Sequence, residues 1–550
     1  MATIDGATLI ARCLKAQGVE FMFGVVGFPV IPIAGAAQKE GIRYIGCRNE
    51  QAASYAAGAV GYLTGRPGAC IVVCGPGVVH GLAGMANAWS NGWPMILIGG
   101  APDAFQDGMG SFQEAPHIET VRPYAKLARR PESLARVPYY VEQAVRTSIY
   151  GRPGAVYLDM PNDLIVGETD EDAAPVLPRC PEPPRSEAGS DAIQAALSVL
   201  EGAERPLVII GKGAAYARAE DEVRQFIDAT KLPFLPTPMG KGVVSDEHPL
   251  SIAPGRSHAL QHADAILLLG ARLNWILHFG KAPRFAPDVK IIQVDVEAEE
   301  IGTNRTPEVA LVGDARAVVA QLNRALEAKP WSYPAETAWR AGLGEAVESN
   351  RKQVQAMEQD RSEPMGYYRV LAEIRDRAPR DAVLVNEGSN TMDIGRSVLR
   401  NYEARERLDA GTFGTMGLGL GFALAASVVH PDRKVIAVEG DSAFGFSGME
   451  VETACRYQLP ITFVVINNNG IGFGVDEIDP EKVPVFAYTP RAHYEQIIEA
   501  FGGRGWFVTK PGELGSALEE AFADRRPNLV NVMIDPRAGR KPQKFSWLTR

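Results

Sequence analysis

The sequence is poor in cysteine, and its cysteines are scattered along the chain. Only six occur among 550 residues, and most stand in apolar contexts typical of buried strands or helices. We interpret them as reduced core residues of a cytoplasmic protein. Cys70 and Cys74 have helical spacing, but no second pair lies nearby to complete a zinc site. A metal site at these two thiols is therefore disfavoured.

Basic residues are outnumbered, and long apolar runs are missing. Fifty-six Lys and Arg against 66 Asp and Glu give a formal charge of −10, which repels nucleic acid phosphates. No run approaches the roughly 18 apolar residues of a membrane span. The N-terminus has an amphipathic helical pattern rather than that of a signal peptide, and the C-terminus lacks a peroxisomal tripeptide. We therefore expect a cytoplasmic protein that binds neither nucleic acid nor membranes.

Short apolar runs, by contrast, recur throughout the chain. Runs such as ACIVVCG, PLVIIGKG, AILLLGA and KVIAVEGD each end in glycine or aspartate and precede a helix-like stretch. This pattern is typical of buried parallel strands in α/β layers. The sequence therefore predicts an α/β fold with parallel sheets flanked by helices.

Two breaks in composition divide this series. The proline-rich, acidic segment 171–190 predicts an extended linker, and a second break near 329–339 leads into a polar helical stretch. The length also suggests about three domains. We predict three α/β domains and a short tail, with these bounds: 1–175, 190–330, 365–535 and 536–550.

Polar residues follow two strands of the third predicted domain. Asp441 ends the strand KVIAVEG, and Asn468 follows the strand TFVVI, 27 positions later. In a parallel sheet both strand ends emerge on one edge, where ligands of such sheets bind. Two oxygen ligands, a backbone carbonyl just beyond at Gly470, and the oxygens of a diphosphate make an octahedral site suited to Mg²⁺.

The residues after the first of these strands suit a phosphate group. Gly440 and the backbone amides near Ser442, Ala443 and Phe444 would let the main chain approach a diphosphate. An aspartate before a glycine-rich helix start also occurs in many α/β proteins without this chemistry. The Asn-Asn pair at this spacing is what makes the segment specific.

With that pair, the segment resembles the cofactor-binding motif of thiamine-diphosphate enzymes. RNEQAA supplies Glu50 after a strand of the first domain, and the later Gly-Pro-Gly at 75–77 also matches this family. The resemblance implies that Glu50 activates the cofactor through a hydrogen bond to its pyrimidine ring. By itself, Glu50 has the pattern of a solvated glutamate at a helix start.

The same resemblance implies roles for four further residues and an oligomeric state. Gly414 holds the cofactor's 4′-amino group through its carbonyl, and Met416 is the apolar wedge that bends the cofactor. Ser389 and Asn390, after another strand, bind the diphosphate. Because the catalytic glutamate and the aspartate lie in different domains, the family's architecture implies active sites between two subunits. We expect a homodimer at minimum and a homotetramer by resemblance.

Within this superfamily the chain resembles oxalyl-CoA decarboxylases and 2-hydroxyacyl-CoA lyases over nearly its whole length. The segment GARLNWILHFG is typical of these acyl-CoA enzymes. Phe112 and Gln113 occupy the loop position where oxalyl-CoA decarboxylases carry Tyr-Glu, and the C-terminal FSWLTR also looks like the lyases. We expect a lyase that reversibly cleaves 2-hydroxyacyl-CoA into formyl-CoA and an aldehyde or ketone, through a C2 carbanion of the cofactor.

Further candidates concern the reacting part of the acyl-CoA substrate. Gln113 is expected to orient the thioester or hydroxyl oxygen. His80 lies near the expected pocket and is a candidate for proton transfer, although a packed neutral histidine explains it equally well. Phe28 and Phe112 are expected to line the pocket of the carbonyl fragment.

CoA itself is expected over the middle and third domains. Ser257 and Arg396 are its candidate ligands, and the basic tail is either a lid that closes on CoA or a frayed terminus. Arg272 and Asp295 lie at strand ends of the middle domain, where oxalyl-CoA decarboxylase binds an adenine nucleotide. ADP or CoA at that place stays open, because an ordinary salt bridge or cap explains all four residues equally well.

Three alternatives remain open. An oxalyl-CoA decarboxylase would give formyl-CoA and CO₂, and an acetolactate synthase, which acts on free keto acids, is more remote. A non-catalytic paralogue that binds a nucleotide is the third. Such a binding protein has no need of Glu50 together with Asp441 and Asn468, so these residues favour an enzyme.

Overall fold

Three parallel sheets form the frame of the protein. The computed structural model describes residues 2–542. Sheets of six, five and six strands are each built by one consecutive part of the chain, and all their strand pairs are parallel. The predicted three-domain α/β fold is thereby confirmed.

The first sheet belongs to the N-terminal part. Across the sheet, its strands are Arg43–Gly46, Phe21–Val25, Gly68–Val72, Met95–Ala101, Ala155–Pro161 and Ala128–Arg129. The accompanying helices are Gly6–Ala16, Ile31–Lys39, Glu50–Thr64, Pro76–Asn91, His117–Val121, Val137–Ile149 and Asn162–Val166. Strands Gly68–Val72 and Met95–Ala101 are buried along their whole length, which explains their unbroken apolar character.

Two short strands close this part of the chain. Thr3–Asp5 pairs antiparallel with Glu168–Asp170. The following linker has no helix or strand between Ala174 and Gly189. Gln17 anchors it by donating from its amide to the carbonyls of Leu177 and Pro178, at 3.1 and 2.8 Å. The proline-rich segment is therefore extended, and it lies against the first domain.

The second sheet forms the middle of the chain. Across the sheet, its strands are Phe234–Pro236, Pro206–Ile210, Ala265–Leu269, Lys290–Asp295 and Val309–Val312. Its helices are Ser190–Glu201, Lys212–Tyr216, Glu220–Thr230, Arg256–His262 and Ala315–Ala328. The polar stretch after the second break forms the 21-residue helix Ala338–Glu358, which is capped by the Thr337 side chain.

The third sheet carries the C-terminal part. Across the sheet, its strands are Arg407–Asp409, Val383–Asn386, Val435–Gly440, Ile461–Asn467, Asn528–Met533 and Arg504–Val508. Its helices are Tyr367–Arg377, Ser389–Val398, Gly419–Val429, Asp441–Ser447, Glu450–Arg456, Glu495–Glu499 and Pro511–Ala523.

Helices Glu50–Thr64 and Gly419–Val429 join the first and third domains. Their small residues allow close approach: a Cβ on Gly421 would lie 2.5 Å from the carbonyl oxygen of Ala52. The rings of Tyr55 and Phe422 meet edge to face, with 6.5 Å between their centroids. This packing holds the start of the first helix against the third domain.

No helix within residues 2–542 is long and apolar enough to cross a lipid bilayer.

Candidate active site

Glu50 begins a helix at the carboxyl edge of the first sheet. It is the first residue of Glu50–Thr64, and the side chain of Asn49 caps that helix by accepting from the Gln51 amide. Its side chain is 15% exposed, and one carboxylate oxygen lies 3.1 Å from Nδ1 of His80, which is 58% exposed. The structure therefore places two of the predicted residues in contact, with the carboxylate mostly shielded from water.

A second loop brings Gln113 to the same edge. Gly75, at the start of the helix that carries His80, has φ 55°, and Gln113 has φ 58°. A Cβ on Gly75 would lie 2.5 Å from the Gln113 carbonyl oxygen, so the two backbones touch. The rings of Phe28 and Phe112 meet edge to face, 6.4 Å between centroids. The active-site rim beside helix Glu50–Thr64 thus consists of two aromatic rings and two backbone segments, at Phe28, Phe112, Gly75 and Gln113.

Asp441 lies at the carboxyl edge of the third sheet, directly after strand Val435–Gly440. Its carboxylate accepts from the amides of Ser442 and Gly470, both at 2.9 Å. Burial raises the pKa of Asp441 to about 7. Within residues 2–542 no basic side chain forms an ion pair with this carboxylate.

Asn468 lies beside this buried acid. It is also buried, and its amide donates to the carbonyl of Gly472 at 3.3 Å. Asn390 donates to the same carbonyl at 3.2 Å, so both predicted cofactor residues meet at one loop. A buried carboxylate with neutral oxygen donors nearby has the chemistry of a divalent-cation site, and the predicted ligands Asp441, Asn468 and Gly470 fit Mg²⁺.

Two helix starts face this edge of the third sheet. Ser389–Val398 begins after Gly388, which has φ 102°, and Asp441–Ser447 begins after Gly440. The side chains of Ala443 and Phe444 are buried, which leaves their backbone amides as the groups for a phosphate. Backbone amides at helix starts favour anions.

The glycine-rich turn at 410–418 is held by a buried acid that the sequence analysis missed. The Glu387 carboxylate accepts from the amides of Gly417 and Gly419, the latter at 2.6 Å. Gly414, with φ 69°, and the half-buried Met416 lie in the same turn. The position of these two predicted cofactor residues therefore depends on Glu387.

Glu439 faces Glu387 from the neighbouring strand, and both carboxyl groups are fully buried. Burial raises the pKa of Glu387 to about 7. Burial and the adjacent Glu387 raise the pKa of Glu439 well above its usual range. Two buried carboxyl groups without a cation do not both ionise, so Glu439 is the protonated partner.

A cavity lies between the middle domain and its neighbours. Arg272 and Asp295 both line it, together with Lys212, Arg152 and Thr412. Arg272 donates to the carbonyl of Ser90 at 2.6 Å and to the Thr412 hydroxyl at 3.2 Å. Burial raises the pKa of Asp295. The structure thus brings these two predicted residues to one pocket.

Ser257 and Arg396 have different surroundings. Ser257 is exposed on helix Arg256–His262. Arg396 is held by Asp409 at 3.1 Å and Asp393 at 3.0 Å, so its guanidinium already has carboxylate partners. Arg540, in the predicted tail, pairs with the other oxygen of Asp393. Residues 543–550, which include the FSWLTR of the predicted lid, lie outside the described residues.

Three family models match the chain. They are the thiamine pyrophosphate enzyme N-terminal TPP binding domain over 4–120, the central domain over 193–322, and the C-terminal TPP binding domain over 387–532. Human 2-hydroxyacyl-CoA lyase 1 is 53% identical over 562 aligned residues, which cover 100% of this chain and 97% of the human protein. The chain belongs to the 2-hydroxyacyl-CoA lyases of the thiamine pyrophosphate enzyme family.

Other relatives of this thiamine pyrophosphate enzyme agree. The 2-hydroxyacyl-CoA lyase of Arabidopsis thaliana is 46% identical over 98% of this chain and 96% of its own length. Oxalyl-CoA decarboxylase of Escherichia coli (strain K12) is 42% identical over 97% of this chain and 96% of its own length. Among these relatives, similarity to the two lyases is higher than to the decarboxylase.

The matches also group the predicted residues of this thiamine pyrophosphate enzyme. Glu50, His80 and Gln113 fall within the N-terminal match, and the residues around Asp441 and Asn468 fall within the C-terminal match. The chain therefore carries one half of a thiamine diphosphate site on each of two domains.

Sequence reasoning overlooked two groups of this enzyme. Glu387 and Glu439 stand at the ends of neighbouring strands, and the rule that found Asp441 also applies to them. The buried pair of His117 and Asp159, in contact at 2.9 Å, joins residues 42 positions apart. No local sequence pattern predicts the contact between His117 and Asp159.

Proposed function

We propose that the chain is an active 2-hydroxyacyl-CoA lyase, which reversibly cleaves 2-hydroxyacyl-CoA into formyl-CoA and an aldehyde or ketone. The observation that carries this proposal is the Phe112–Gln113 loop at the rim beside Glu50. Full-length similarity to the lyases supports it independently. A carboxylate in place of Gln113 would suit a decarboxylase better.

Each proposed active-site residue has a separate role in the reaction. When bound, thiamine diphosphate supplies a nucleophilic carbon and an electron sink. Glu50 holds a proton at the cofactor's pyrimidine nitrogen, and His80 at 3.1 Å orients that carboxyl group. Gln113 orients the thioester or hydroxyl oxygen through its amide. The Phe28 and Phe112 rings shield the site from water and contact the carbonyl fragment.

Mg²⁺ is the proposed metal. Asp441, Asn468 and the Gly470 carbonyl would hold it, and Gly440, Ser442, Ala443 and Phe444 would offer backbone amides to the diphosphate with Ser389 and Asn390. The support is the buried Asp441 carboxylate, whose pKa is raised to about 7 by burial. A cation would compensate the cost of keeping that group charged.

Subunit association is part of the proposal, because each half-site is surrounded by exposed apolar side chains. In the first domain these are Phe28, Val79, Phe105, Met109 and Phe112, and in the third domain they are Phe413, Phe446, Met449, Ile471 and Phe473. Such surfaces are typical of protein interfaces. We propose a homodimer in which the two faces meet, and its further assembly into a homotetramer.

Subunit complementation tests this arrangement. Glu50→Gln and Asp441→Asn should each be inactive, but co-expressed chains should regain about one quarter of the wild-type activity, because half of random dimers hold one intact site. Light scattering gives the oligomeric state. A monomer, or mixed chains without regained activity, would contradict the proposal.

The middle cavity is the proposed nucleotide site. Asp295 suits ribose hydroxyls, while Arg272, Arg152 and Lys212 suit phosphates. ADP and CoA are the two candidates. Thermal shifts with each ligand, in wild type and in Arg272→Gln, would identify the occupant. Equal shifts in both proteins would remove this cavity from the proposal.

The phosphates of CoA are assigned to a cationic region beside Ser257. Arg256 and Arg396 lie within it, and Arg540 joins through Asp393. Lys541 binds Asn350 at 2.7 Å, which places the described start of the tail next to this region. An Arg540→Ala substitution should raise the KM for acyl-CoA with little change in kcat, and an unchanged KM would argue against the tail's role.

A cytoplasmic location completes the proposal. All six cysteines are free thiols and five are buried, which suits a reducing compartment. Fractionation of native cells followed by immunoblotting tests this assignment. Recovery in a membrane or extracellular fraction would contradict it.

One assay tests the reaction itself. The purified protein, with Mg²⁺ and thiamine diphosphate, is incubated separately with a 2-hydroxyacyl-CoA and with oxalyl-CoA, and formyl-CoA is followed by mass spectrometry. Formyl-CoA together with an aldehyde or ketone from the first substrate supports the lyase. Formyl-CoA from oxalyl-CoA alone would make the chain a decarboxylase.

A further inference from the structure

A buried ion-pair network lies behind the loop that carries Phe112 and Gln113. His117 is 2% exposed and Asp159 is fully buried. Nδ1 of His117 lies 2.9 Å from one Asp159 oxygen, which also accepts from the Tyr157 hydroxyl at 2.6 Å. Arg130 donates to the other oxygen at 2.6 Å. Three side chains thus bind this buried carboxylate, two at one oxygen and one at the other.

The hydrogen bonds define the protonation of His117. Its Nε2 accepts from the Gly75 amide at 2.7 Å, so this nitrogen carries no proton. The proton is on Nδ1 and is donated to Asp159. Although burial acts to raise it, the hydrogen bonds from His117 and Tyr157 lower the pKa of Asp159. A charged Asp159 therefore orients a neutral His117.

Gly75 connects the oriented His117 ring to Gln113 at the active-site rim. Its amide is held by His117, and its α-carbon lies so close to the Gln113 carbonyl that a Cβ would approach within 2.5 Å. Gly75 and Gln113 both have positive φ, which glycine adopts freely but which Gln113 keeps only with support from its surroundings. The helix that starts after Gly75 carries His80.

The far end of the network reaches the same loop. Arg130 also contacts Asp107 at 3.4 Å. Glu114 holds the amides of Gly110 and Ser111 at 2.9 and 3.0 Å. Asp159 thus reaches the loop 103–116 at two places, at Asp107 through Arg130 and directly after the loop through His117.

We propose that His117 and Asp159 are positioning residues that set Gln113 and the start of the His80 helix for the substrate. The inference rests on the proposed lyase function for its substrate, but not for its structural readout. Both side chains are buried, so they act through the loop and the helix start rather than by direct contact. Its effect falls on substrate handling, while thiamine diphosphate binding is left unchanged.

The test compares two substitutions at one position. His117→Leu removes both hydrogen bonds, whereas His117→Gln keeps an acceptor for Gly75 and a donor for Asp159. For His117→Leu, kcat/KM for 2-hydroxyacyl-CoA should fall by about 10- to 100-fold, with cofactor affinity unchanged. His117→Gln should recover most of the loss. Gln17→Leu, which removes a buried amide elsewhere in this domain, is the matched control and should keep wild-type kcat/KM.

A second readout needs no turnover. Hydrogen exchange in 103–116 should accelerate in His117→Leu, and Cys74, buried beside Gly75, should become open to alkylation. Arg130→Gln changes a partly exposed residue and should accelerate exchange in the same loop even if His117→Leu fails to fold. Wild-type exchange, alkylation and kcat/KM in these variants would overturn the proposal. A wild-type protein without lyase activity would overturn the proposed function instead, and the loop measurements would still decide this inference.

Discussion

The buried acidic side chains of the two half-sites differ in their partners. In the first domain, Asp159 is bound by His117, Tyr157 and Arg130, and Glu50 contacts His80. In the third domain, Asp441, Glu387 and Glu439 have only backbone amides or each other as partners among the described residues.

This difference separates a preorganised region from one that needs a ligand. Ion pairs and hydrogen bonds already satisfy the first half-site, so its geometry does not depend on added ions. The third half-site has raised pKa values at Asp441, Glu387 and Glu439, because burial disfavours their charged forms. The proposed Mg²⁺ would supply the positive charge that the third half-site lacks.

The largest expected effect is on catalysis through the first half-site. Glu50→Gln should lower kcat by about 10²- to 10⁴-fold, the usual range for loss of an acid–base group. Thiamine diphosphate and Mg²⁺ should still bind, as measured by calorimetry. Glu20→Gln, an exposed glutamate of the same domain, is the control. Unchanged kcat in Glu50→Gln would remove Glu50 from the mechanism.

The next largest effect is expected on metal binding at the third half-site. Asp441→Asn should raise the Mg²⁺ concentration needed for half-maximal cofactor binding by about 100-fold, the upper range seen even for groups around a metal site. Cofactor titrations at several Mg²⁺ concentrations measure this. Asp432→Asn, at an exposed aspartate in the turn before the same strand, should behave as wild type. An equal Mg²⁺ requirement in all three proteins would exclude the site.

The buried acid pair should respond asymmetrically. In Glu387→Gln the NH₂ faces one of the two amides, of Gly417 or Gly419, while the remaining oxygen still accepts from the other. Cofactor affinity should fall about tenfold from this one lost hydrogen bond to a charged group. In Glu439→Gln the NH₂ replaces the donating hydroxyl, so affinity should change little. Calorimetric titration of thiamine diphosphate compares them. Equal losses would show that Glu439 is not the protonated partner.

The smallest effect concerns pH. Since the pKa of Asp441 is raised to about 7, a cation must displace a proton below that pH. Apparent Mg²⁺ affinity should therefore be constant above about pH 7.5 and fall by up to tenfold per pH unit below 7. Without metal, this group lowers stability as the pH rises from about 4 to 7, because the folded state binds the extra proton. Mg²⁺ affinity that is flat from pH 6 to 8 would contradict this shift.

The sequence could predict contacts that follow from parallel-strand geometry. Asp441 and Asn468 end neighbouring strands, so their meeting at one edge required no coordinates. The same rule applies to Glu387 and Glu439, which also lie at the ends of neighbouring strands. The enzyme family and the three-domain fold also followed from motifs and apolar runs.

Other contacts depended on how loops fold in three dimensions. His117 reaches Asp159 because its loop returns over the first sheet, and nothing in the spacing of these residues specifies that path. For Arg396 the sequence left a CoA ligand and an ordinary salt bridge equally open, and only the structure shows that Asp393 and Asp409 bind it. Partner choice among charged residues depends on tertiary distances that composition does not contain.

Helices Glu50–Thr64 and Gly419–Val429 form a rigid connection between two active sites of the proposed dimer. The first begins at the glutamate of one site, and the second begins at the cofactor turn of the other. Their contact at Gly421 has no space for even a methyl group, so one helix does not shift without the other. In the proposed dimer, a shift of the turn in one site would therefore be transmitted to the Glu50 of the other site, so the two sites are mechanically linked.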